Sequence, residues 1–171
     1  MALQTSAAIS FANLQSEFGG SHPITMGEYA SHRVSGSGNT ISMNQFYGAS
    51  SNETQTVTVG SYYDGAAYIS TTSYGYSSDS NSYGSISDGT LGVAGNKTIQ
   101  LLAWNNINIV TLRVAGVASN SGWTTMTVNG TAFSRASASF YSNGTASTAW
   151  QWLTITTNPF GTSGTKQVVF T

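Results

Sequence analysis

Apolar and polar residues follow two different rhythms along this chain. Up to about residue 50 the apolar residues fall into three short groups: Ile9-Ser10-Phe11-Ala12-Asn13-Leu14, Ile24-Thr25-Met26-Gly27-Glu28-Tyr29 and Ile41-Ser42-Met43-Asn44-Gln45-Phe46. Each reads Ile, a hydroxyl residue, Phe or Met, any residue, then Asn, Glu or Gln, then a large apolar residue. Ser10, Thr25 and Ser42 stand where an N-cap accepts a hydrogen bond from an unpaired amide of the first helical turn. Three residues on, Asn13, Glu28 and Gln45 stand where a capping box returns a bond to the cap's own amide, Asn fitting less well than Gln or Glu. The Ile before each cap and the Leu, Tyr or Phe four positions after it form a hydrophobic-staple pair. The pattern predicts three short capped helical turns, separated by polar loops such as Gly19-Gly20-Ser21-His22-Pro23 and Ser35-Gly36-Ser37-Gly38-Asn39.

From about Asn52 the rhythm changes to period two, the mark of half-buried strands. Thr56-Val57-Thr58-Val59 alternates and stops at Gly60. Lys97 to Trp104 and Asn106 to Val114 are two longer strand candidates joined at Asn105-Asn106. In the second, the apolar parity slips between Ile109 and Val110, which requires either two buried faces or a bulge there. Thr124 to Val128, then Asn129-Gly130, then Thr131 to Phe133 is the clearest hairpin, since Asn-Gly suits the positive φ angles of a two-residue turn. Ala136 to Phe140 alternates, Trp150 and Trp152 fall on one strand face, and Lys166 to Phe170 closes the chain. Eight to ten short strands with Gly, Asn and Ser turns predict an all-β domain, an antiparallel β-sandwich or barrel over residues 51–171, preceded by the turns of residues 1–50.

Helical turns this short are not stable alone in water. They pack either on the chain's own β-domain or on another subunit. The second reading is favoured, because each group offers its apolar residues as a small knob and not as part of one continuous face. On that reading Ile9, Phe11, Leu14, Phe18, Ile24, Met26, Tyr29, Ile41, Met43, Phe46 and Tyr47 are the partner-docking residues.

Composition narrows the function. Of 171 residues only 6% are charged, with five Lys and Arg against six Asp and Glu. A typical domain is about 25% charged, so the polarity here comes from Ser, Thr, Asn and Gly. A net charge of −1 offers nothing to neutralise phosphates, which argues against nucleic acid and anionic membranes as partners. No apolar run reaches the roughly 18–20 residues of a membrane span. With no Cys there is no disulfide framework. The opening residues carry no positive charge before their short apolar stretch, so no signal peptide is expected. An exterior-looking composition without an export signal is what a particle component made in a host cytoplasm and released by lysis would have.

Catalysis finds little support. His22 and His32 lie in the first fifty residues with no Cys or carboxylate cluster beside them, so no metal site and no cofactor are expected. The β-domain's carboxylates, Glu53, Asp64, Asp79 and Asp88, sit next to Gly, Ser, Asn, Thr or Tyr, where turn and edge positions account for them. No Gly-x-Ser-x-Gly elbow has a His partner in the same domain. The remaining candidate is the Tyr-rich stretch. Tyr62, Tyr63, Tyr68, Tyr74, Tyr76 and Tyr83, interleaved with Ser, Gly, Asn and Asp, resemble the composition of binding loops and would suit sugar rings. Alternatively, alternate tyrosines face the core while the others cover an edge. Trp104, Trp123, Trp150 and Trp152 are core or interface anchors.

These residues resemble a known family. The run from Ile9-Ser10-Phe11 through Glu17-Phe18-Gly19-Gly20 and Pro23-Ile24-Thr25-Met26 to Ile41-Ser42-Met43-Asn44-Gln45-Phe46-Tyr47-Gly48 is similar to the N-terminal motif of many tailed-bacteriophage structural proteins. Tyr74-Gly75-Tyr76-Ser77, the segment from Asn120 to Thr131 and the segment from Asn158 to Thr165 resemble a module of phage tail and fibre proteins. The resemblance implies a non-enzymatic virion structural protein of the tail, baseplate, neck or fibre-attachment region, with no catalytic residue. Its expected partners are other virion proteins and further copies of itself in a ring or fibre. The alternative is a carbohydrate-binding module that recognises a host-surface glycan with the Tyr-rich face.

Overall fold

The structure, a computed structural model, describes residues 3, 8–20, 25–32, 41–46, 52–65, 70–79 and 81–171. The chain forms two compact units, Met1–Asn52 and Glu53–Thr171. The second holds the strands in chain order: β1 (Glu53–Thr58), β2 (Gly60–Asp64), β3 (Thr71–Ser77), β4 (Ser85–Ile86), β5 (Thr90–Leu91), β6 (Lys97–Asn105), β7 (Ile109–Ala115), β8 (Thr125–Val128), β9 (Thr131–Ser134), β10 (Ser139–Asn143), β11 (Ser147–Trp152) and β12 (Thr165–Phe170). A five-stranded sheet runs β4-β1-β12-β8-β9. A seven-stranded sheet runs β10-β11-β7-β6-β3-β2, with β5 also pairing on β6. All pairings are antiparallel, and one core takes Val57, Met126, Phe133 and Phe170 from the first sheet and Leu102, Leu112, Trp150 and Trp152 from the second. The fold is a β-sandwich preceded in the chain by a short helical segment.

The sheets share their chain. β1 belongs to the first sheet and β2 to the second, and only Val59 lies between them. The return crossing runs from β3 to β4 past Tyr83 and Gly84. Two crossings so close together force backbone against backbone. A Cβ on Gly60 would overlap the amide of Gly84; one on Gly84 would lie 2.7 Å from the Thr58 carbonyl; one on Gly75 would lie 2.8 Å from Ala103 Cα. Only glycine fits three backbones meeting at that distance.

Of the two explanations for the parity slip in β7, two buried faces or a bulge, the structure shows the first, and a separate bulge lies on the neighbouring strand. β7 holds its register through Ile109 and Val110, opposite Asn105 and Trp104. The irregularity lies between Ile99 and Leu101 of β6, so Gln100 is the extra residue. It lets Ile99 and Leu102, three apart, both face the core with no exposed surface. In β7 the other expectation holds, because Val110, Thr111 and Leu112 are all buried. The β6–β7 turn is also one to two residues later than Asn105-Asn106, with Asn108 at φ 66°. Asn129 and Gly130, at φ 47° and 85°, close the β8–β9 hairpin as the sequence predicts, with Val128 opposite Thr131. The alternating run from Ala136 does not begin a strand. Residues Arg135–Ser137 make a 3-10 turn, and β10 starts at Ser139.

Trp123, from the long β7–β8 connection, plugs the sandwich. Its ring meets Trp150 at 5.6 Å and Phe170 at 5.5 Å, both edge to face, one from each sheet. Arg135 covers it, with the guanidinium 5.9 Å from the ring centre and its Nε donating to the Trp123 carbonyl. Arg135 also donates to Asn120, whose Oδ1 accepts from Trp150 Nε1 at 2.8 Å. A loop that would otherwise be free is thus held to both sheets by one cation and one amide.

Gly75→Ala should destabilise the sandwich by about 3 kcal/mol, an overpacking cost added to that of a positive φ. Gly130→Ala, at positive φ but with open space around it, should cost only about 1 kcal/mol. Urea denaturation of both variants checks this; equal losses would mean that the glycine corner imposes no steric constraint.

Candidate functional site

In the N-terminal unit the three repeated patterns each start a turn. Ser10 caps α1 (Phe11–Phe18): the Asn13 amide donates to Ser10 Oγ at 3.2 Å, and the Ser10 amide donates to Asn13 Oδ1 at 2.9 Å. Both halves of the capping box are therefore made, even with Asn in the third position. Residues Met26–His32 form a 3-10 helix, opened by the Glu28 amide bonding the Thr25 carbonyl at 3.2 Å. Residues Met43–Phe46 form another, with the Ser42 amide donating to Gln45 Oε1 at 3.0 Å. Only the first pattern extends to an α-helix. No Gly or Pro interrupts Phe11–Phe18, whereas Gly27 falls inside the second, where it weakens a helix by about 1 kcal/mol.

The staple residues do not stand apart as three knobs. Leu3, Ile9, Leu14, Tyr29 and Phe46 form one small core, with Phe18, Met26, Ile41 and Met43 half-buried against it. Leu14, Tyr29 and Phe46 have at most 1% of their surface exposed, so within this unit they hold the turns together and present nothing to a partner. That corrects the expectation of isolated knobs: the spacing that makes each staple also turns all three toward a common centre. Tyr29 is pinned further by its hydroxyl donating to the Gly19 carbonyl at 2.8 Å and by the Phe18 ring at 6.3 Å. The apolar surface these residues leave exposed is that of Phe11, 41% exposed, and the uncovered parts of Phe18, Met26, Ile41 and Met43. Ile24 and Tyr47 lie outside the described residues.

The tyrosines divide between the two faces of the seven-stranded sheet. Cross-strand partners share a face, so Tyr62, opposite Ser73, and Tyr83, opposite Ser77, lie on the outward side. Their rings stack at 6.3 Å, 11° from parallel. Burial pushes the Tyr83 phenol above its ordinary pKa of 10.0, against a smaller downward pull from its bond to Ser73. Tyr74 and Tyr76 alternate onto the other face and pack on the core, Tyr74 beside Trp104 at 6.2 Å. Tyr63 is 62% exposed, and Tyr68 lies outside the described residues. The five described tyrosines therefore make no single platform; Tyr62 and Tyr83 are the pair that meet on the outward face.

Glu53, Asp79, Arg113 and Arg135 are engaged structurally. Glu53 Oε2 accepts from the Val93 amide at 2.9 Å. Its neighbour Gln55, almost wholly buried, donates to Glu53 at 3.1 Å and to the Thr90 carbonyl at 2.8 Å. Arg113 pairs with Asp79 on the outward face. Among the described residues no three His, Cys, Asp or Glu side chains come close enough to hold a metal ion. One feature the sequence reading passed over is the pair Phe140 and Tyr141, 38% and 46% exposed on a strand whose five residues are all exposed. Two adjacent aromatics between serines were the available signal, hidden because the strand was expected to end where it begins.

Family models, curated proteins and solved structures provide no match to this chain.

Phe46→Ala should remove about 3–5 kcal/mol from the small N-terminal core, while Phe11→Ala, being exposed, should change it by under about 1 kcal/mol. Hydrogen exchange of the α1 amides reads this out: Phe46→Ala should abolish their protection and Phe11→Ala should preserve it. Loss of protection in both would place Phe11 in the core.

Proposed function

We propose that this protein is a non-enzymatic structural component of a tailed-phage particle, in the tail, baseplate, neck or fibre-attachment region. Residues 1–50 attach it to neighbouring virion proteins and the β-sandwich is the part displayed, in several copies around a ring or along a fibre. It is made in the host cytoplasm and resides in the virion. The observation that carries this reading is the convergence of the three capped turns on a core of their own. A motif similar to that of phage structural proteins forms a compact unit of its own, with Phe11 41% exposed.

The charge economy supports the same reading. A docking surface built from Phe11, Phe18, Met26, Ile41 and Met43 gains from apolar burial, about 1.5–3 kcal/mol for each fully covered large side chain. Exposed ion pairs, worth about 0–1 kcal/mol and screened by salt, have little part in it. The stacked Tyr62 and Tyr83 beside Ser73 support a second reading, a carbohydrate-binding module that takes a host-surface glycan.

Phe11→Ala should leave the melting temperature of the isolated protein unchanged and reduce its incorporation into particles several-fold. Wild-type docking should vary little between low and near-molar NaCl. Steep salt dependence, with Phe11→Ala incorporated normally, overturns the docking reading. A glycan array with wild type and Tyr62→Ala tests the second reading, which requires specific binding that the variant loses.

A further inference from the structure

The two sheets expose four edges, and three of them are blunted. β4 is two residues long. β9 is four residues long, and the carbonyl of its last residue, Ser134, accepts from Trp152 Nε1 at 2.8 Å. β2 begins at the glycine corner and ends in the charged Asp64. Charges, shortness and covering chain are the usual means of keeping a sheet from pairing with another molecule. β10 has none of these. It is five residues long, Ser139-Phe140-Tyr141-Ser142-Asn143, with no charge, no Pro and no Gly, and every residue is exposed. Among the described residues no strand pairs with its outer side.

We propose that β10 is the surface through which two copies of this chain associate, strand to strand and antiparallel about a two-fold axis at Tyr141, joining their seven-stranded sheets into one. The sequence of the strand is what selects a second copy as the occupant. Read against itself in reverse, Tyr141 faces Tyr141, Phe140 faces Ser142, and Ser139 faces Asn143, so no charge and no clash of large side chains is set opposite another except the central tyrosine pair. Aromatic cross-strand pairs of that kind are favourable. Alternation puts Phe140 on the core side, where it already packs on Trp150 at 5.4 Å. Tyr141 lies on the outward side, in register with Ala149 and Arg113. Pairing would cover the exposed flanks of both aromatics and satisfy a row of edge amides and carbonyls. A two-fold contact is closed, so it stops at the dimer and does not run on into a filament.

The pairing rests on the proposed role only in that copies of the chain associate; it adds a two-fold contact to whatever contact builds a ring or fibre, and its test needs no particle. Sedimentation equilibrium of the purified full-length protein from about 10 µM to about 1 mM should show a monomer–dimer equilibrium. Tyr141→Lys and Tyr141→Glu, each alone, put like charges face to face across the axis and should weaken association about tenfold. An equal mixture of the two should restore it. Should either variant melt differently from wild type, the double variants Ser139→Lys with Asn143→Lys, and Ser139→Glu with Asn143→Glu, make the same test at fully exposed positions. Hydrogen exchange should show the outward β10 amides gaining protection with concentration. A wild type monomeric throughout, single-charge variants that associate like wild type (as pairing of β10 with the β2 edge of another copy would give), or a mixture without rescue each overturns the proposal. Failure of the particle experiment with a normal β10 result would leave this dimer standing and remove the virion reading.

Discussion

Three stretches of backbone meet at Gly60, Gly75 and Gly84 with no room for a side chain between them, and the sandwich depends on that meeting. β1 and β2 are nearly one strand, yet they serve different sheets, and β3 and β4 repeat the crossing in the opposite direction. A chain that changes sheet twice within a few ångströms must bring main chain against main chain. A Cβ on Gly60 or Gly84 would push the crossings apart, and one on Gly75 would push β3 away from β6 within the seven-stranded sheet. The corner therefore fixes the spacing at one end of the core.

The other end is fixed by side chains. Trp123 enters from a connection, not from a strand, and touches rings of both sheets. Its placement relies on Arg135, which donates to the Trp123 and Asn120 carbonyls, and on the Asn120 side chain, which accepts from Arg135 and Trp150. The same economy recurs at Gln55 and Glu53, which tie the segment from Asp88 to Val93 to β1 by accepting its amides and donating to the Thr90 carbonyl. Glu53 and Arg135 thus hold irregular segments, where backbone groups have no ladder to satisfy them.

The N-terminal unit shows how little sequence a stable local geometry needs. One hydroxyl, one amide or carboxylate three residues later and one staple pair recur three times, and the result is three turns whose buried sides coincide. None of the turns is long enough to persist alone. Their mutual burial of Ile9, Leu14, Tyr29 and Phe46 replaces helix length as the source of order.

The sequence by itself determined the elements that rest on local chemistry. Period-two alternation marked β1, β6 to β9, β11 and β12, Asn129-Gly130 fixed a turn that needs positive φ, and Ser10 fixed where α1 begins. At the third turn, by contrast, the Ser42 hydroxyl bonds Asn44 and the Gln45 side chain supplies the cap. These follow from interactions within a few residues, which a pattern records directly. Tertiary structure decided everything that required distant chain. The slip at Ile109 and Val110 was resolved by burial of both faces of β7, and the bulge at Gln100 left no mark in the pattern, because both depend on what distant chain packs there. The staples met one another, since an apolar spacing specifies that a side chain is buried but not against what. The tyrosines split between core and surface for the same reason: only the register with β6, which sets Tyr74 opposite Trp104 and Ser73 opposite Asn105, assigns a face to each.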